Sequence, residues 1–422
     1  MATNPRSDIL AGLSVAVVAL PLALAFGIGS GVGAAAGIST AIIAGLVAAI
    51  FGGSRVQVSG PTGAMTVVLI PIFSKFGAEA VLVVGLISGL ILLTLSLTGA
   101  AHFMKYIPVS VIEGFTLGIA LLIGLQQIPI AIGTQSDSSS VVVSAFHAMS
   151  SAPRNLNQFS VFICLGSILI ILVARRIRAS LPAGIIAVIV LTAVSWVLVL
   201  DVPVVGDIPR SISWQGVPSL SNLPMQSLLI PALSVAGLAA IEGLLCASIA
   251  DSMADLPPHD SHRELFGQSM ANLVAPLFGG VPATAAIART AVNVRSGAVS
   301  RLAAITHSIV LFLFVAVGAG FVAHIPLATL AGVLIATAAR MVEVKKLREF
   351  VSETPHHGIV VALTAIATLC LDLVEAVTLG LVFAGTISLL QDRRSHHKHE
   401  SEAEQIEVAL NHILNEDDKP LR

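Results

Sequence analysis

Apolar runs of about 20 residues recur from Ile9 to Leu390, each long enough to cross a bilayer as a helix. A membrane barrel would need short segments alternating with period two. Runs such as AVLVVGLISGLILLTLSL (80–97) are apolar without interruption, so helices are the spanning elements. Only 11% of the 422 residues are charged, where a soluble domain carries about 25%. The chain therefore reads as an all-α integral membrane protein embedded in a lipid bilayer.

Several function classes fall away at once. No basic stripe with interleaved aromatics is present and the net charge is -2, so no nucleic acid partner is expected. Cys164, Cys246 and Cys370 stand alone inside apolar runs, without metal-ligand or disulfide spacing. No HExxH, GxSxG, Walker or dinucleotide motif appears, so neither enzyme chemistry nor a bound cofactor is expected. The first apolar run is longer than a signal-peptide core and lacks a small-residue cleavage site, so it reads as a retained helix.

About fourteen membrane segments follow from the length criterion. They are 8–29, 33–52, 61–75, 78–99, 108–129, 157–174, 181–200, 227–250, 265–280, 284–294, 299–318, 322–339, 355–371 and 374–391. The third and tenth are too short to span alone. Segments 130–156 and 201–224, rich in Ser, Pro and Asn, read as outer loops. With the N-terminus inside, Lys75, Arg154 and Arg210 alone among the 22 basic residues fall outside, and Arg289 is left in the membrane. This bias puts both termini in the cytoplasm of a cell with a plasma (inner) membrane. After 394 the composition turns charged. Residues 395–422 read as a cytoplasmic tail, with Ile406, Leu410, Ile413 and Leu414 on one helical face.

One stretch breaks the oily pattern. FGG at 51–53 is followed by SRVQVSGPTGAMTVV, and FGG at 278–280 is followed by VPATAAIARTAVNV. Both are polar, small-residue links leading into half-length helices, at corresponding places in two halves. Such pairs point to a transporter binding site. With an odd number of segments per half, the second half must be inverted. Irregular backbone at membrane depth is tolerated only where it is buried in protein or lines a cavity. A helix starting there presents free N–H groups and a positive dipole end, suited to an anion. Pro61 suits a first helical turn, Thr62 adds a hydroxyl and Gly63 allows close approach. Pro282, Ala283, Thr284 and Ala285 take the matching part. The competing reading is a pair of ordinary packed kinks.

Glu242 falls near the middle of the eighth segment, where a carboxyl is costly and marks function by default. It could carry protons, ligate Na⁺, or form an ion pair with Arg289. Cys246 sits one turn later on the same face; a thiol is a poor Na⁺ ligand, which favours protons. Arg289 could add charge to an anion site, snorkel, or pair with Glu242. Asp251, Asp255, Asp260 and Glu264 lie in or beside an inner loop and read as solvated. His396, His397 and His399 read as part of a solvated linker.

These residues resemble the sulfate permease (SulP) family of anion transporters. The likeness rests on ALPLALAFG in the first segment, SGPTGAMTVV in the third, and RELFGQSMANLVAPLFGGVPATAAIARTAVNVRSG across the ninth and tenth. It covers about residues 7–394 and is greatest to the cyanobacterial sodium-dependent bicarbonate transporters. The resemblance implies a 7+7 inverted repeat with a uracil-transporter-like fold. Its core would comprise about 8–99 and 227–318, and its gate about 108–200 and 322–391, with elevator-like movement between them and a homodimeric assembly. It places a small inorganic anion, bicarbonate or sulfate, at Pro61, Thr62, Gly63 and the Ala283, Thr284, Ala285 and Ala286 backbone, with Pro21, Leu22 and Phe26 lining the site. The relatives' sodium site, an Asp and a Thr one turn apart, corresponds to Glu242 and Cys246, which shifts the expected coupling ion to H⁺, with Na⁺ at Glu242 the alternative. Their Glu before PTG is Gly60 here. A dicarboxylate or nucleobase carrier of the same fold, and an uncoupled exchanger or channel, are the other readings. The family's cytoplasmic STAS domain would follow the last helix, and residues 395–422 offer at most its start.

Overall fold

A computed structural model describes residues 5–99, 109–134, 141–178, 181–219, 223–254, 256–342, 344, 348, 355–370 and 379. Its helices are α1 (Pro5–Gly29), α2 (Ala34–Phe51), α3 (Gly63–Thr98), α4 (Val109–Ile132), α5 (Val141–Asn155), α6 (Gln158–Ile177), α7 (Ala183–Val197), α8 (Met225–Ala254), α9 (Ser261–Val274), α10 (Ile287–Arg295), α11 (Leu302–Ala323), α12 (Leu327–Met341) and α13 (Pro355–Cys370). Seven of them are long and apolar enough to cross a membrane: α1, α2, α3, α4, α6, α8 and α11. The fourteenth expected segment, 374–391, apart from Leu379, and the tail 395–422 with its histidines lie outside the described residues.

Local chemistry sets the helix ends. Thr62 caps α3, accepting a hydrogen bond from the Met65 N–H at 3.3 Å. Asp260 caps α9 through the N–H groups of His262 and Arg263. Inside α3 the chain breaks at Gly77, with φ 82° and ψ −178°. That left-handed φ separates the two expected segments 61–75 and 78–99. Segment 130–156 is not the loop its composition suggested. Within it Val141–Asn155 forms α5, which buries Ala145 and Ala148 and leaves Phe146 and Met149 outward. Helical spacing of small and apolar residues outweighs its serine content. Segment 201–219 is irregular, with Val204 bridged to Pro326 and the Gln215 N–H donating to the Leu277 carbonyl at 2.8 Å.

Side-chain distribution fits a lipid surround. On α6, Phe162, Leu165, Leu169 and Leu172 face outward while Ser160, Cys164 and Ser167 are buried. Small and polar residues inside and large apolar ones outside are the membrane pattern of helix packing. Two groups of helices result. In one, α1 packs on α2 and α11, α3 on α8 and α9, and α2 on α9. In the other, α4 packs on α5, α12 and α13, and α6 on α7 and α12. They meet where α1 touches α7 and α12 and where α3 touches α4.

Candidate functional site

Between α2 and α3, and again between α9 and α10, the chain runs extended through the first helix group. β1 (Ser59–Gly60) and β2 (Thr284–Ala285) pair antiparallel, Ser59 opposite Ala285 and Gly60 opposite Thr284. The Ala286 N–H extends the ladder to the Val58 carbonyl at 2.9 Å. The pairing brings the start of α3 beside the start of α10, as the two broken segments require. Both strands are fully buried.

At the α3 start, the Thr62 hydroxyl donates to Glu242 Oε2 at 3.3 Å. Glu242 comes from α8, a half-buried residue whose carboxyl lies beside the helix N-terminus. The N–H groups of Gly63 and Ala64 have no intrahelical partner by position. Phe26 and the α4 residue Ile123 press against the bare Cα of Gly63. The Phe26 carbonyl accepts from the Thr66 hydroxyl at 3.3 Å, which ties α1 to the same turn. Leu22 is buried one turn earlier on α1, and Pro21 lies near Gly184 of α7.

In the second link two of the expected backbone donors, the Ala283 and Ala286 N–H groups, are already engaged. Asn272 of α9 accepts from the Ala283 N–H and donates to the Ala283 carbonyl, both at 2.9 Å. The Ala286 N–H is taken by Val58, and Thr284 Oγ1 points to the Ala239 carbonyl of α8 at 3.5 Å. The positions free by geometry are the first N–H groups of α10, those of Ile287, Ala288 and Arg289.

Arg289 neither snorkels nor pairs with Glu242. Its side chain is 1% exposed and Nη2 donates to the Pro61 carbonyl at 2.8 Å. Among the described residues, the ion pair within 4.0 Å is His259–Asp251, not Glu242–Arg289. Cys246 donates to Thr290 Oγ1 at 3.3 Å. That oxygen also accepts from the Val58 N–H at 3.0 Å, so Cys246 supports β1 through α10.

Three acids, Glu264, Asp251 and Asp8, are structural. Glu264 is not solvated; it is 2% exposed. Its Oε2 accepts from the N–H groups of Gly53 and Ser54 at 2.9 and 3.0 Å, and Oε1 from Gln57 and Gln268 at 2.5 and 2.9 Å. Gln268 also donates to Ser59 Oγ, so the acid fixes β1 in place. Asp251 is likewise held, on the N–H and ring of His259, while Asp260 is the α9 cap and Asp255 lies outside the described residues. Asp8, fully buried in the first turn of α1, accepts from the N–H groups of Val299 and Ser300 and from the Ser300 hydroxyl. The first-turn position of Asp8 and the α9 spacing of Glu264 and Gln268 were the available signals. A cavity of about 70 Å³ lies elsewhere, under the 208–215 loop beside Ser39 and Phe278.

Comparison with known proteins places this geometry. The transmembrane domain of a cyanobacterium bicarbonate transporter BicA superposes with a TM-score of 0.82 at 29% identity, covering 88% of this chain and 97% of that one. Murine Slc26a9, an anion transporter in the inward-facing state, shares the fold with a TM-score of 0.82 at 18% identity, covering 92% of this chain and 68% of that one. By sequence, the Bacillus subtilis protein named "Putative sulfate transporter YvdB" is 35% identical over 387 residues, 90% of this chain and 72% of its own. The bicarbonate transporter BicA of a Picosynechococcus strain is 29% identical over 400 residues, 92% of this chain and 70% of its own. The model of the sulfate permease family matches residues 6–365, and the chain belongs to that family.

Proposed function

We propose that the protein is a secondary active carrier of a small oxyanion, bicarbonate or sulfate, coupled to H⁺ through Glu242. The antiparallel pairing of β1 with β2 carries this reading, because it sets two helix N-termini side by side with Glu242 on the Thr62 hydroxyl. Unpaired N–H groups and dipole ends attract an anion without reading much beyond its charge and size. Arg289 adds a buried positive charge between them. The anion binds against the starts of α3 and α10, with Thr62, Gly63 and Phe26 on one side and the first α10 N–H groups, approached from Ala283–Ala286, on the other. Relatives named for sulfate and for bicarbonate support both substrates.

Protonation of Glu242 would accompany anion loading, since the carboxylate's charge opposes an anion at the same helix start. The helix group of α1–α3 and α8–α11 forms a core. It moves as a unit past the gate built from α4–α7, α12 and α13, carrying the site across the membrane in an elevator stroke. The carrier sits in the inner membrane as a homodimer, with both termini cytoplasmic. Uptake into proteoliposomes, with labelled sulfate and bicarbonate under separate pH and Na⁺ gradients, tests the reading. A pH gradient drives accumulation, and Glu242→Gln abolishes it while anion exchange continues. Accumulation driven by Na⁺ alone assigns Glu242 and Thr62 to Na⁺ instead, and flux indifferent to both gradients makes the protein an exchanger or channel.

A further inference from the structure

Among the described residues Arg289 is the largest fully buried side chain, and its two terminal nitrogens are treated unequally. Nη2 is held by the Pro61 carbonyl, while Nη1 is buried with no hydrogen-bond partner. An unpaired buried donor is costly, so a partner is implied. The guanidinium lies across the bare Cα of Gly60. A Cβ at that residue would stand 2.6 Å from Nη1 and 3.3 Å from both Cζ and Nη2. Arg289 has no solvent to retreat into, so a methyl group at 60 must displace its Nη1 within the buried site. Gly60 also has φ +152°, open to glycine and strained for other residues.

We propose that Gly60 is a positioning residue of the anion site, acting through Arg289. By carrying no side chain it fixes the Arg289 guanidinium across the junction of β1 with α3. Nη2 is then spent on Pro61 and Nη1 is left for an oxygen of the transported oxyanion. The proposal rests on the anion-carrier reading above. A planar guanidinium with one arm anchored and one free meets an oxyanion at a fixed angle, which a flexible ammonium does not. Position 60 thereby controls the charge at the site without touching the substrate itself.

The test compares four full-length proteins in proteoliposomes: native, Gly60→Ala, Arg289→Lys and the double variant. Initial uptake is measured over a range of labelled sulfate and bicarbonate concentrations, together with thermal stability. A lysine at 289 has no guanidinium to lie over residue 60. Gly60→Ala therefore raises the KM of the native background by about tenfold or more, as a displaced binding group does. Added to Arg289→Lys, it changes KM by less than about twofold, because the two positions act as one. Loss of folding on the arginine background but not on the lysine background has the same meaning. Equal damage on both backgrounds assigns the glycine to backbone strain alone and overturns the proposal, as does a Gly60→Ala protein with native KM. If the native protein moves neither anion, the carrier reading fails by itself. The four melting temperatures then still decide the coupling, non-additive if Gly60 acts through Arg289 and additive if it does not.

Discussion

The two links that enter the half-helices share a topology and are held by different chemistry. The first, from Gly52 to Thr62, leaves α2 in extended conformation. Charged groups grip it from both sides. Glu264 takes the N–H groups of Gly53 and Ser54, and Arg301 donates to the carbonyls of Gly52 at 2.6 Å and Ser54 at 3.3 Å. Arg289 takes the Pro61 carbonyl. The second link, from Gly279 to Ala286, follows a 3-10 turn at Ala275–Phe278 and satisfies part of its backbone locally. The N–H groups of Gly279 and Gly280 return to the Pro276 and Ala275 carbonyls. Neutral side chains suffice for the rest: Ser39, Thr40 and Asn272. Backbone away from water must be paired. Where a local turn pairs some of it, hydroxyls and one amide finish the task. Where the chain leaves the helix extended, carboxylate and guanidinium are recruited beside the neutral Thr290 and Asn293.

If that contrast is right, the largest single loss comes from the first link. Glu264→Gln keeps the shape of the side chain but sets an NH₂ group against donors, since all four of its partners donate. Rotation of its own amide does not relieve this; the Gln57 and Gln268 amides, whose Oε1 atoms lack partners, would have to turn over, and Gln268 would then give up its donation to Ser59 Oγ. The expected cost is about 3 kcal/mol or more, in the range for breaking a buried charged network. It is read as a fall in thermal unfolding temperature of the detergent-purified protein. A Glu264→Gln protein as stable as the native one would erase the distinction between the links.

The counterpart on the second link is Asn272→Ala. It leaves both the N–H and the carbonyl of Ala283 without their partner, and frees the bond from Asn272 to the Gln268 carbonyl. The expected cost is about 2 kcal/mol, smaller because the bonds lost are fewer and join neutral groups. Asn272→Asp sharpens the point. It keeps the acceptor for the Ala283 N–H but turns a second acceptor towards two carbonyls, so it falls below the alanine variant in stability. The reverse order would mean that Asn272 acts through its volume.

The same contrast explains what could be read from the chain beforehand. Pro61 and Thr62, and Pro282 and Thr284, are local signals, and they marked the two helix starts. Gly77 is local too, and the boundary drawn there matches the break. What holds the links is not local. Glu264 contacts residues more than two hundred positions away, and beside Asp260 and Arg263 it looked like part of a solvated turn. Asp8 is likewise joined to Val299 and Ser300 across most of the sequence. The three fates open to Arg289 could not be separated without knowing that the Pro61 carbonyl lies within its reach. The α5 helix was missed for a different reason. Its serine-rich composition masks the helical spacing of Ala145 and Ala148, which are the residues it buries.

The smallest effect, and the finest probe of the contrast, is Ser39→Ala. The Ser39 hydroxyl donates to the Phe278 carbonyl at 2.7 Å, and its neighbour Thr40 donates to the Val281 carbonyl at 2.9 Å. Each is a neutral bond worth about 1 kcal/mol. The loss of Ser39 leaves the 3-10 turn closed by its own N–H groups, so the link keeps its path. Combined with Asn272→Ala, the Ser39 variant should add to within about 0.5 kcal/mol, since the two side chains hold residues five positions apart through unshared partners. On the first link no such independence is expected. Gln57→Ala and Glu264→Gln share one hydrogen bond, and their joint cost should fall short of the sum of the two. Unfolding of the two pairs of single and double variants under the same conditions measures both couplings. A strongly coupled second link beside an additive first one would mean that the neutral side chains, not the charged ones, form the network.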